Sequence, residues 1–341
     1  MTNAARRGIV TGGTWCVDNN KLIAVWPTEE SSNEIFALDP KGGGSGHNFA
    51  ADMRLLDPEM PVDTIGAVGD DDNGRFLLAE CDRRGIGRDQ LHVLQGVTQF
   101  SDAMCIRETG KRTHFYYQGV GTQLTPDHFD FGRTRARILH LGLPGVHDTM
   151  DRAWHDEPNG WVAVLRKARA AGLTNNLELV TIDRDKLAGL ARPCLPWLDL
   201  LVVNDFEIGA LAGDATVRDG QTDVPAVIAA ARKVLEQGSM QLLAVHFPRG
   251  AVALARDGRM TVKGSTRIPS DIVVGANGAG DAFAAGFVYG VHENWPVEQS
   301  LALAHASAAT SMRAMSTIDG VEHWRTCLGL AEGWGWRDAP A

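Results

Sequence analysis

The chain has 341 residues, of which 44% are hydrophobic and 22% charged, a composition typical of a folded globular protein rather than a disordered one. No run reaches the roughly 18 to 20 apolar residues that a membrane-spanning helix needs. The 42 acidic and 33 basic residues give a net charge of −9, the wrong sign for a protein that binds nucleic acid by neutralising phosphates.

Short apolar runs alternate with amphipathic stretches that end in glycine, a pattern typical of strands and helices in a mostly parallel sheet. The predicted strands are residues 8–11, 177–183, 198–204 and 242–247, and the predicted helices are residues 73–84, 161–171, 224–237, 280–289 and 297–315. Gly85 and Gly172 close the first two helices, because glycine accepts the left-handed conformation after a last turn. No repeat or linker divides the chain, so residues 1–341 are predicted to form a single α/β domain.

Two stretches depart from this alternation and predict β-hairpins. Residues 97–118 alternate β-branched and aromatic side chains around a turn at residues 108–111, and residues 251–263 alternate around Asp257-Gly258. We therefore expect antiparallel ribbons attached to the α/β body.

The strongest chemical signal is the segment Gly275-Ala-Asn277-Gly278-Ala279-Gly280-Asp281, between a predicted extended run at residues 272–274 and a helix of small residues. Backbone N–H groups at such a helix start can approach a phosphate, where the unpaired donors and the helix dipole favour negative charge. A carboxylate is repelled by phosphate, so the natural role of Asp281 is general base for an attacking hydroxyl. The alternative is that Asp281 only favours the first helical turn and the glycines only allow tight packing.

A second glycine cluster, residues 41–46, follows a predicted loop at residues 38–40 and opens another helix. It lacks the last glycine of the dinucleotide-binding G-x-G-x-x-G pattern, and the chain contains no G-x-x-x-x-G-K-[ST] P-loop. Glycines that permit close approach, with Asn48 as both donor and acceptor, suit a neutral polyhydroxylated ligand. The alternative for Asn48 is a helix cap.

Together these clusters resemble, in order along the chain, the motifs of the ribokinase-like (PfkB) carbohydrate kinases. Residues 13–18 resemble the first-strand pattern that ends in a substrate-binding aspartate, residues 43–48 the first signature, and residues 278–281 the centre of the second. Further matches are the G-x-V-G-D-D-x-x-G turn at residues 66–74, the lid hairpin at residues 110–113 and the N-x-x-E motif at residues 204–207. The resemblance implies a three-layer α/β/α fold with a mostly parallel central sheet and a small β lid, its strands within residues 18–40 and 98–120.

The resemblance also implies an ATP-dependent sugar kinase that transfers the γ-phosphate of ATP to a carbohydrate hydroxyl. Asp281 would be the general base, and the backbone of Gly278, Ala279 and Gly280 would form the anion hole. The implied sugar-binding residues are Asp18, Gly43, Gly44 and Asn48, and the implied nucleotide-binding residues are Asn204, Glu207, Gly250, Asn277 and His305. Glu207 would hold Mg²⁺ mostly through water, or would act only as a first-turn helix carboxylate.

The chain departs from the family pattern at three places. Gly275-Ala276 stands where the family has Asp-Thr, so the side chains that would hold a potassium-like cation are absent and weak potassium dependence is expected. Only Gly250 remains of a T-x-G-x-x-G pattern aligned on residues 245–250. His305 stands where an asparagine often lies beside adenine, and a packed helical histidine is the alternative.

Two other functions stay open at this point. One is a nucleoside kinase of the same fold, with Trp15, Phe115 and Tyr117 as candidate base-stacking residues. The other is a catalytically silent sugar- or nucleotide-binding homologue, which the presence of Asp281 disfavours, because a protein without catalysis has no need of a carboxylate beside phosphate. Lys41, Arg107 and Arg112 leave open whether the substrate already carries phosphate.

The expected partners are a small-molecule substrate and ATP, without nucleic acid or membrane. The exposed edges of the lid predict a homodimer joined near residues 20–38 and 98–120. Five scattered cysteines without a C-x-x-C pair, and an N-terminus without a signal-peptide core, favour a cytoplasmic protein with reduced thiols.

Overall fold

The computed structural model describes residues 6–109 and 112–340, in which the predicted alternation of strands and helices is confirmed. The strands are Ile9–Gly13 (β1), Cys16–Ile23 (β2), Ile35–Gly43 (β3), Val62–Gly69 (β4), Gly87–Leu94 (β5), Phe100–Ile106 (β6), Arg112–Tyr117 (β7), Ile138–Gly142 (β8), Thr174–Leu177 (β9), Leu200–Asn204 (β10), Val217–Arg218 (β11), Gln221–Thr222 (β12), Leu242–Phe247 (β13), Gly250–Ala255 (β14) and Met260–Gly264 (β15). The α-helices are Ser45–Leu56 (α1), Asp72–Arg84 (α2), Asp148–Asp151 (α3), Gly160–Ala170 (α4), Arg184–Ala191 (α5), Asp205–Ala212 (α6), Val224–Gln237 (α7), Ala279–His292 (α8), Val297–Ser311 (α9) and Trp324–Trp334 (α10).

The central sheet has nine strands in the order β15-β14-β13-β10-β9-β8-β1-β4-β5. Neighbouring strands from β13 to β5 are parallel, and the predicted hairpin at residues 251–263 extends this sheet as the antiparallel strands β14 and β15. Because successive side chains of a strand point to opposite faces, Ile9 packs in one buried cluster and Val10 in another. Helices cover both faces, so the predicted three-layer α/β/α class is confirmed.

A second sheet, in the order β3-β2-β6-β7, forms the lid. Its strands lie within the predicted ranges, residues 18–40 and 98–120, except that β2 begins at Cys16 and β3 continues to Gly43. The predicted loop at residues 38–40 is wrong, because these residues belong to β3, where Pro40 pairs with Asn19. A proline is tolerated there because β3 is an edge strand. Gly110 and Lys111, in the predicted lid turn, lie outside the described residues.

Two other predicted elements are wrong, and both errors concern the site. The strand predicted at residues 177–183 is instead Thr174–Leu177, the segment that pairs with β8 and β10. The following residues lead into α5, where Asp183 accepts a hydrogen bond from Lys186 N at 2.9 Å. The extended run at residues 272–274 is a 3₁₀ turn followed by loop, and Val274 N donates to Met312 O at 2.8 Å.

The helices agree better with the sequence pattern. The prediction for residues 224–237 matches α7 at both ends, whereas α9 ends at Ser311, four residues before the predicted end at Met315. Gly85 and Gly172 have positive φ values of 65° and 79°, as predicted for residues that close helices. Among the described residues, no helix is long and apolar enough to cross a membrane.

The turn after β4 connects the central sheet to the lid. Asp71 caps α2 by accepting from Gly74 N at 2.9 Å, and its other carboxylate oxygen accepts from Thr98 N at 2.9 Å. Thr98 Oγ1 in turn accepts from Gly69 N at 2.8 Å. A side chain at Gly69 would meet Gly96 O at 2.1 Å. The motif at residues 66–74 is therefore structural, because it fixes the segment that leads into β6.

We expect Asp71→Ala to lower the free energy of unfolding by about 2 kcal/mol, since it removes a helix cap and a charged acceptor for Thr98. Urea denaturation followed by circular dichroism measures this change. Asp72→Ala is the matched control, because the Asp72 side chain is 96% exposed and pairs with Arg75 on the surface. Equal stability of the two variants would contradict the structural role of Asp71.

Candidate active site

Three neighbouring cavities lie along the carboxyl ends of the parallel strands, where open α/β sheets place ligands. The lid cavity, of about 270 Å³, lies under β6 and β7. The middle cavity, of about 240 Å³, shares Glu178 and Asp281 with it. The outer cavity, of about 440 Å³, shares Asn204, His246 and Gly280 with the middle cavity. Asp281 therefore lies at the junction of the lid and middle cavities.

Asp281 is in the first turn of α8 and is held by Asn48 of α1. Asn48 Nδ2 donates to Asp281 Oδ2 at 2.7 Å, while Asn48 Oδ1 accepts from Thr317 Oγ1 at 3.0 Å. This pairing orients the amide with its donor toward the carboxylate. Gly44, not Asn48, is the N-cap residue of α1, so the helix-cap alternative for Asn48 is wrong.

Glu178 is a site residue that the sequence analysis missed. It directly follows β9 and hydrogen-bonds with Asp281, and His140 Nε2 donates to its carboxylate. Asn176 Nδ2 donates to His140 Nδ1 at 2.9 Å, which sets the tautomer of the ring. Phe49 stacks on that ring with centroids 3.6 Å apart. The strand wrongly predicted at residues 177–183 hid this position, and no local motif marks it.

Burial controls the ionisation of these groups. It raises the pKa of Glu178 to about 7 and lowers the pKa of His140 to about 3, so the imidazole is neutral. The pKa of Asp281 is raised by burial first, and then by the charge of Glu178 and the hydrogen bond with it. Two carboxyl groups in contact do not both ionise readily, so the pair retains a proton into the neutral range.

Asp18, Gly44, Asn48 and Asp281 line the lid cavity together. Asp18 is in β2 with 8% of its surface exposed, and a side chain at Gly43 would lie 2.2 Å from its Oδ2. Gly43 is therefore beside the cavity and leaves space for the Asp18 carboxylate. Gly44 has φ of 86°, a conformation that favours glycine before α1.

The aromatic residues that line the lid cavity are not those expected from the sequence. Phe100, His114 and Tyr116 line it from β6 and β7. Phe115 and Tyr117 alternate with His114 and Tyr116 along β7 and are not among the described residues that line the cavity, because neighbouring strand residues face opposite sides. Trp15 is fully buried in the core beside His47, and is not among the described residues that line the cavity.

The glycine-rich turn before α8 supplies donors at the junction. Gly278 has φ of 77° and is the N-cap residue, and a side chain there would meet Thr317 O at 2.4 Å. Asn277 Nδ2 is buried without a hydrogen-bond partner among the described residues, and Asn277 lines the lid cavity. Ala279 and Gly280 begin the helix, where backbone N–H groups attract anions.

Asn204 and Glu207 line the middle cavity and form a capping box at the start of α6. Glu207 N donates to Asn204 Oδ1 at 2.8 Å, and Asn204 N donates to Glu207 Oε2 at 3.0 Å. Burial raises the pKa of Glu207 to about 7. The capping role considered for Glu207 is thus present, and the same geometry leaves its carboxylate beside the cavity.

The two remaining nucleotide-site candidates differ in position. His305 is 5% exposed and lines the outer cavity, with its ring edge-on to Phe283. Gly250 is not among the described residues that line this cavity. A side chain at Gly250 would lie 2.5 Å from Lys263 O, so close packing of β14 on β15 explains the glycine.

The fold and the row of three cavities define a kinase-type enzyme. A buried acid, Asp281, lies between the lid and middle cavities, beside the start of α8, where backbone N–H groups attract anions. The chain belongs to the pfkB family of carbohydrate kinases, whose sequence profile matches residues 16–324. The ATP-dependent ribose-1-phosphate kinase of Halopiger xanaduensis is 27% identical over 86% of this chain and 90% of its own length.

Solved structures show the same fold. The ribokinase of Thermotoga maritima has a TM-score of 0.77 at 18% identity, with 96% of this chain and 99% of that one covered. The ribokinase of Arabidopsis thaliana, complexed with ribose and ATP, has a TM-score of 0.75 at 20% identity and the same coverage.

We expect Gly278→Ala to destabilise the protein by at least about 1 kcal/mol, because a side chain there needs positive φ and meets the Thr317 backbone. Gly280→Ala is the matched control in the same turn, since its new Cβ would have only ordinary contact with His246, at 3.7 Å. Thermal and urea unfolding compare the two. A Gly278→Ala protein as stable as the Gly280→Ala protein would show that the turn tolerates a side chain.

Proposed function

We propose that the protein transfers the γ-phosphoryl group of ATP to a hydroxyl of a neutral sugar bound in the lid cavity. The observation that carries this proposal is the position of Asp281, at the junction of the lid and middle cavities and beside the glycine-rich turn. ATP would occupy the outer cavity, with its γ-phosphate reaching into the middle cavity. The acceptor hydroxyl would then meet the γ-phosphorus next to Asp281.

In the proposed reaction, Asp281 accepts the proton of the attacking hydroxyl as the new O–P bond forms. The bond between the γ-phosphorus and the bridging oxygen breaks, and ADP leaves with that electron pair. Backbone N–H groups of residues 278–280 stabilise the charge on the transferred group, and Asn277 Nδ2 is a further donor. Closure of the lid over the sugar excludes water, which limits wasteful ATP hydrolysis.

Mg²⁺ fits the residues at the middle cavity. No group of three or more His, Cys, Asp or Glu side chains suited to a metal ion occurs among the described residues. The buried Glu207 carboxylate beside the polar Asn204 suits an ion that keeps most of its water and binds phosphate. Glu207 and Asn204 would hold it through water, and when bound it would neutralise phosphate charge. Gly275 and Ala276 offer no side-chain oxygen to potassium, so we propose weak potassium dependence.

The charges of the lid cavity favour an acceptor without phosphate. Asp18, Glu178 and Asp281 line it, and no lysine or arginine is among the described lining residues. Two of the basic residues considered from the sequence are engaged elsewhere: Lys41 pairs with Asp319 at 3.3 Å, and Arg107 lies 4.1 Å from the centroid of the Phe36 ring. Asp18 and Asn48 together suit neighbouring hydroxyl groups.

A nucleoside is the second candidate acceptor. Phe100, His114 and Tyr116 line the lid cavity together with apolar side chains such as Val146 and Val180. Aromatic rings of this kind could stack on a base while its ribose reaches Asp281. Comparison of turnover with sugars and with nucleosides separates this candidate from a simple sugar.

We also propose a homodimer joined through the outer face of the lid. Several apolar side chains of the lid are exposed, among them Trp26, Ile35, Phe36, Leu38 and Phe115. Trp26 stacks on Phe115 with centroids 5.9 Å apart, so the loop between β2 and β3 and the strand β7 contribute to one apolar surface. Exposed apolar surface of this kind favours association with a second copy.

The function is tested by measuring ADP formation from ATP with a panel of free sugars, sugar phosphates and nucleosides. We expect turnover with a neutral acceptor and a loss of at least about 100-fold in kcat for Asp281→Asn, because the base is removed while size is kept. Calorimetry should show that this variant still binds ATP. Near wild-type turnover of Asp281→Asn would exclude Asp281 as the base, and absence of turnover with the whole panel would favour the binding-protein alternative.

Glu178 acts as a positioning residue in this proposal, because it contacts Asp281 and not the transferred group. Ionised Asp281 is the active form, so kcat/KM should rise with pH as the carboxyl pair loses its proton. Glu178→Gln removes a neighbouring charge that raises the pKa of Asp281. The acidic limb should therefore move to lower pH.

The measurement is kcat/KM between about pH 5 and 9 for the wild type, Glu178→Gln and Glu178→Asp. Glu178→Asp keeps a carboxylate, so its kcat/KM should rise at a pH closer to that of the wild type. If the acidic limb of the kcat/KM profile lies at the same pH in Glu178→Gln as in the wild type, Glu178 does not control the ionisation of Asp281.

A further inference from the structure

The three cavities are poor in positive side chains for a site that would bind a polyanionic nucleotide. Asp18, Glu178, Glu207 and Asp281 line the lid and middle cavities, and Asp205 lines the outer one. Among the described residues that line the three cavities, Arg337 is the one lysine or arginine. It comes from residues 335–340, which follow α10 and which we call the strap.

The strap is held against the segment that follows β15 by backbone hydrogen bonds. Arg267 N donates to Gly335 O at 2.8 Å, and Arg337 N donates to Ser265 O at 2.9 Å. Thr266 and Trp336 form an antiparallel bridge between these two bonds. The short ladder places Arg337 beside Ser265 and Thr266, which also line the outer cavity.

Two glycines of the last hairpin allow the strap to pack this closely. A side chain at Gly264 would lie 2.0 Å from Arg337 O, and one at Gly250 would lie 2.9 Å from Pro340 Cγ. Lys263 Nζ lies 4.4 Å from the centroid of the Trp336 ring and covers the strap from one side. The sequence of β14 and β15 thus leaves space for residues 335–340.

Two buried polar atoms beside the strap indicate a ligand in the outer cavity. Thr266 Oγ1 and His305 Nε2 have no hydrogen-bond partner among the described residues, although each of these residues is only 5% exposed. Both residues line the cavity with Arg337. A buried polar atom without a partner costs free energy that a bound ligand can recover.

We propose that the strap is part of the nucleotide site, with Arg337 as the side-chain cation that pairs with the negative charge of ATP. This inference rests on the proposed function, because it takes the outer cavity as the ATP site. Thr266 and His305 would form hydrogen bonds to the uncharged part of the nucleotide. Nucleotide affinity then depends on a segment that follows the family match at residues 16–324.

The experiment measures the Kd of ATP and of adenosine for the full chain by calorimetry with no acceptor present. Arg337→Ala should weaken ATP binding about 10-fold and adenosine binding much less, since an interaction with a charged partner is lost. Arg337→Lys should recover part of the ATP affinity. Unchanged ATP affinity in Arg337→Ala, or an equal loss for adenosine, would overturn the assignment.

A second variant tests the strap without changing the cation. Gly264→Ala places a methyl group against Arg337 O and should weaken ATP binding to a similar extent, whereas Gly333→Ala, with nothing within 4 Å, should not. Wild-type affinity in Gly264→Ala would exclude the docked strap as a requirement. If the wild type itself binds no ATP, the proposed function fails together with this inference; if it binds ATP and Arg337→Ala binds equally well, only this inference fails.

Discussion

The hydrogen bond from Asn48 to Asp281 joins the first turns of α1 and α8, which lie 233 residues apart in sequence. Both helices begin at a glycine with positive φ, Gly44 at 86° and Gly278 at 77°. Thr317 couples the two starts, because its hydroxyl donates to Asn48 and its carbonyl lies where a side chain at Gly278 would be. Two helix N-termini, with their positive dipole ends, consequently face one set of cavities.

The electrostatics of the site follow from this arrangement. Burial favours neutral forms, which keeps His140 uncharged and raises the proton affinity of Glu178, Glu207 and Asp281. A carboxylate that would be a weak base in water thereby becomes a stronger one. The same carboxylates oppose the binding of a polyanion. Among the described residues that line the cavities, the helix starts, the Asn277 amide and the strap arginine are positive elements that can offset them.

The aromatic lining and the lid depend on strand register. Residues 114 and 116 of β7 line the cavity, whereas residues 115 and 117, which alternate with them, are not among its described lining residues, so the two faces of one strand have different surroundings. A one-residue shift would exchange these two sets of residues. The pairing of β6 with β7 is thus as decisive for the acceptor as the choice of side chains.

Sequence alone determined the features that depend on local chemistry. Glycine clusters predicted that a helix follows residues 41–46 and that another begins at Gly280, close to the observed starts at Ser45 and Ala279. Periodicity predicted α7 and β13 with their bounds, and the order of the motifs predicted the fold class. Tertiary structure decided where β9 ends, which brings Glu178 to Asp281, and where residues 335–340 lie, which brings Arg337 to the outer cavity. The reason is that periodicity depends on neighbours along the chain, whereas strand ends and docked segments depend on partners distant in sequence. Asn176 of β9 bonds to His140 of β8, and Gly264 of β15 leaves space for the strap.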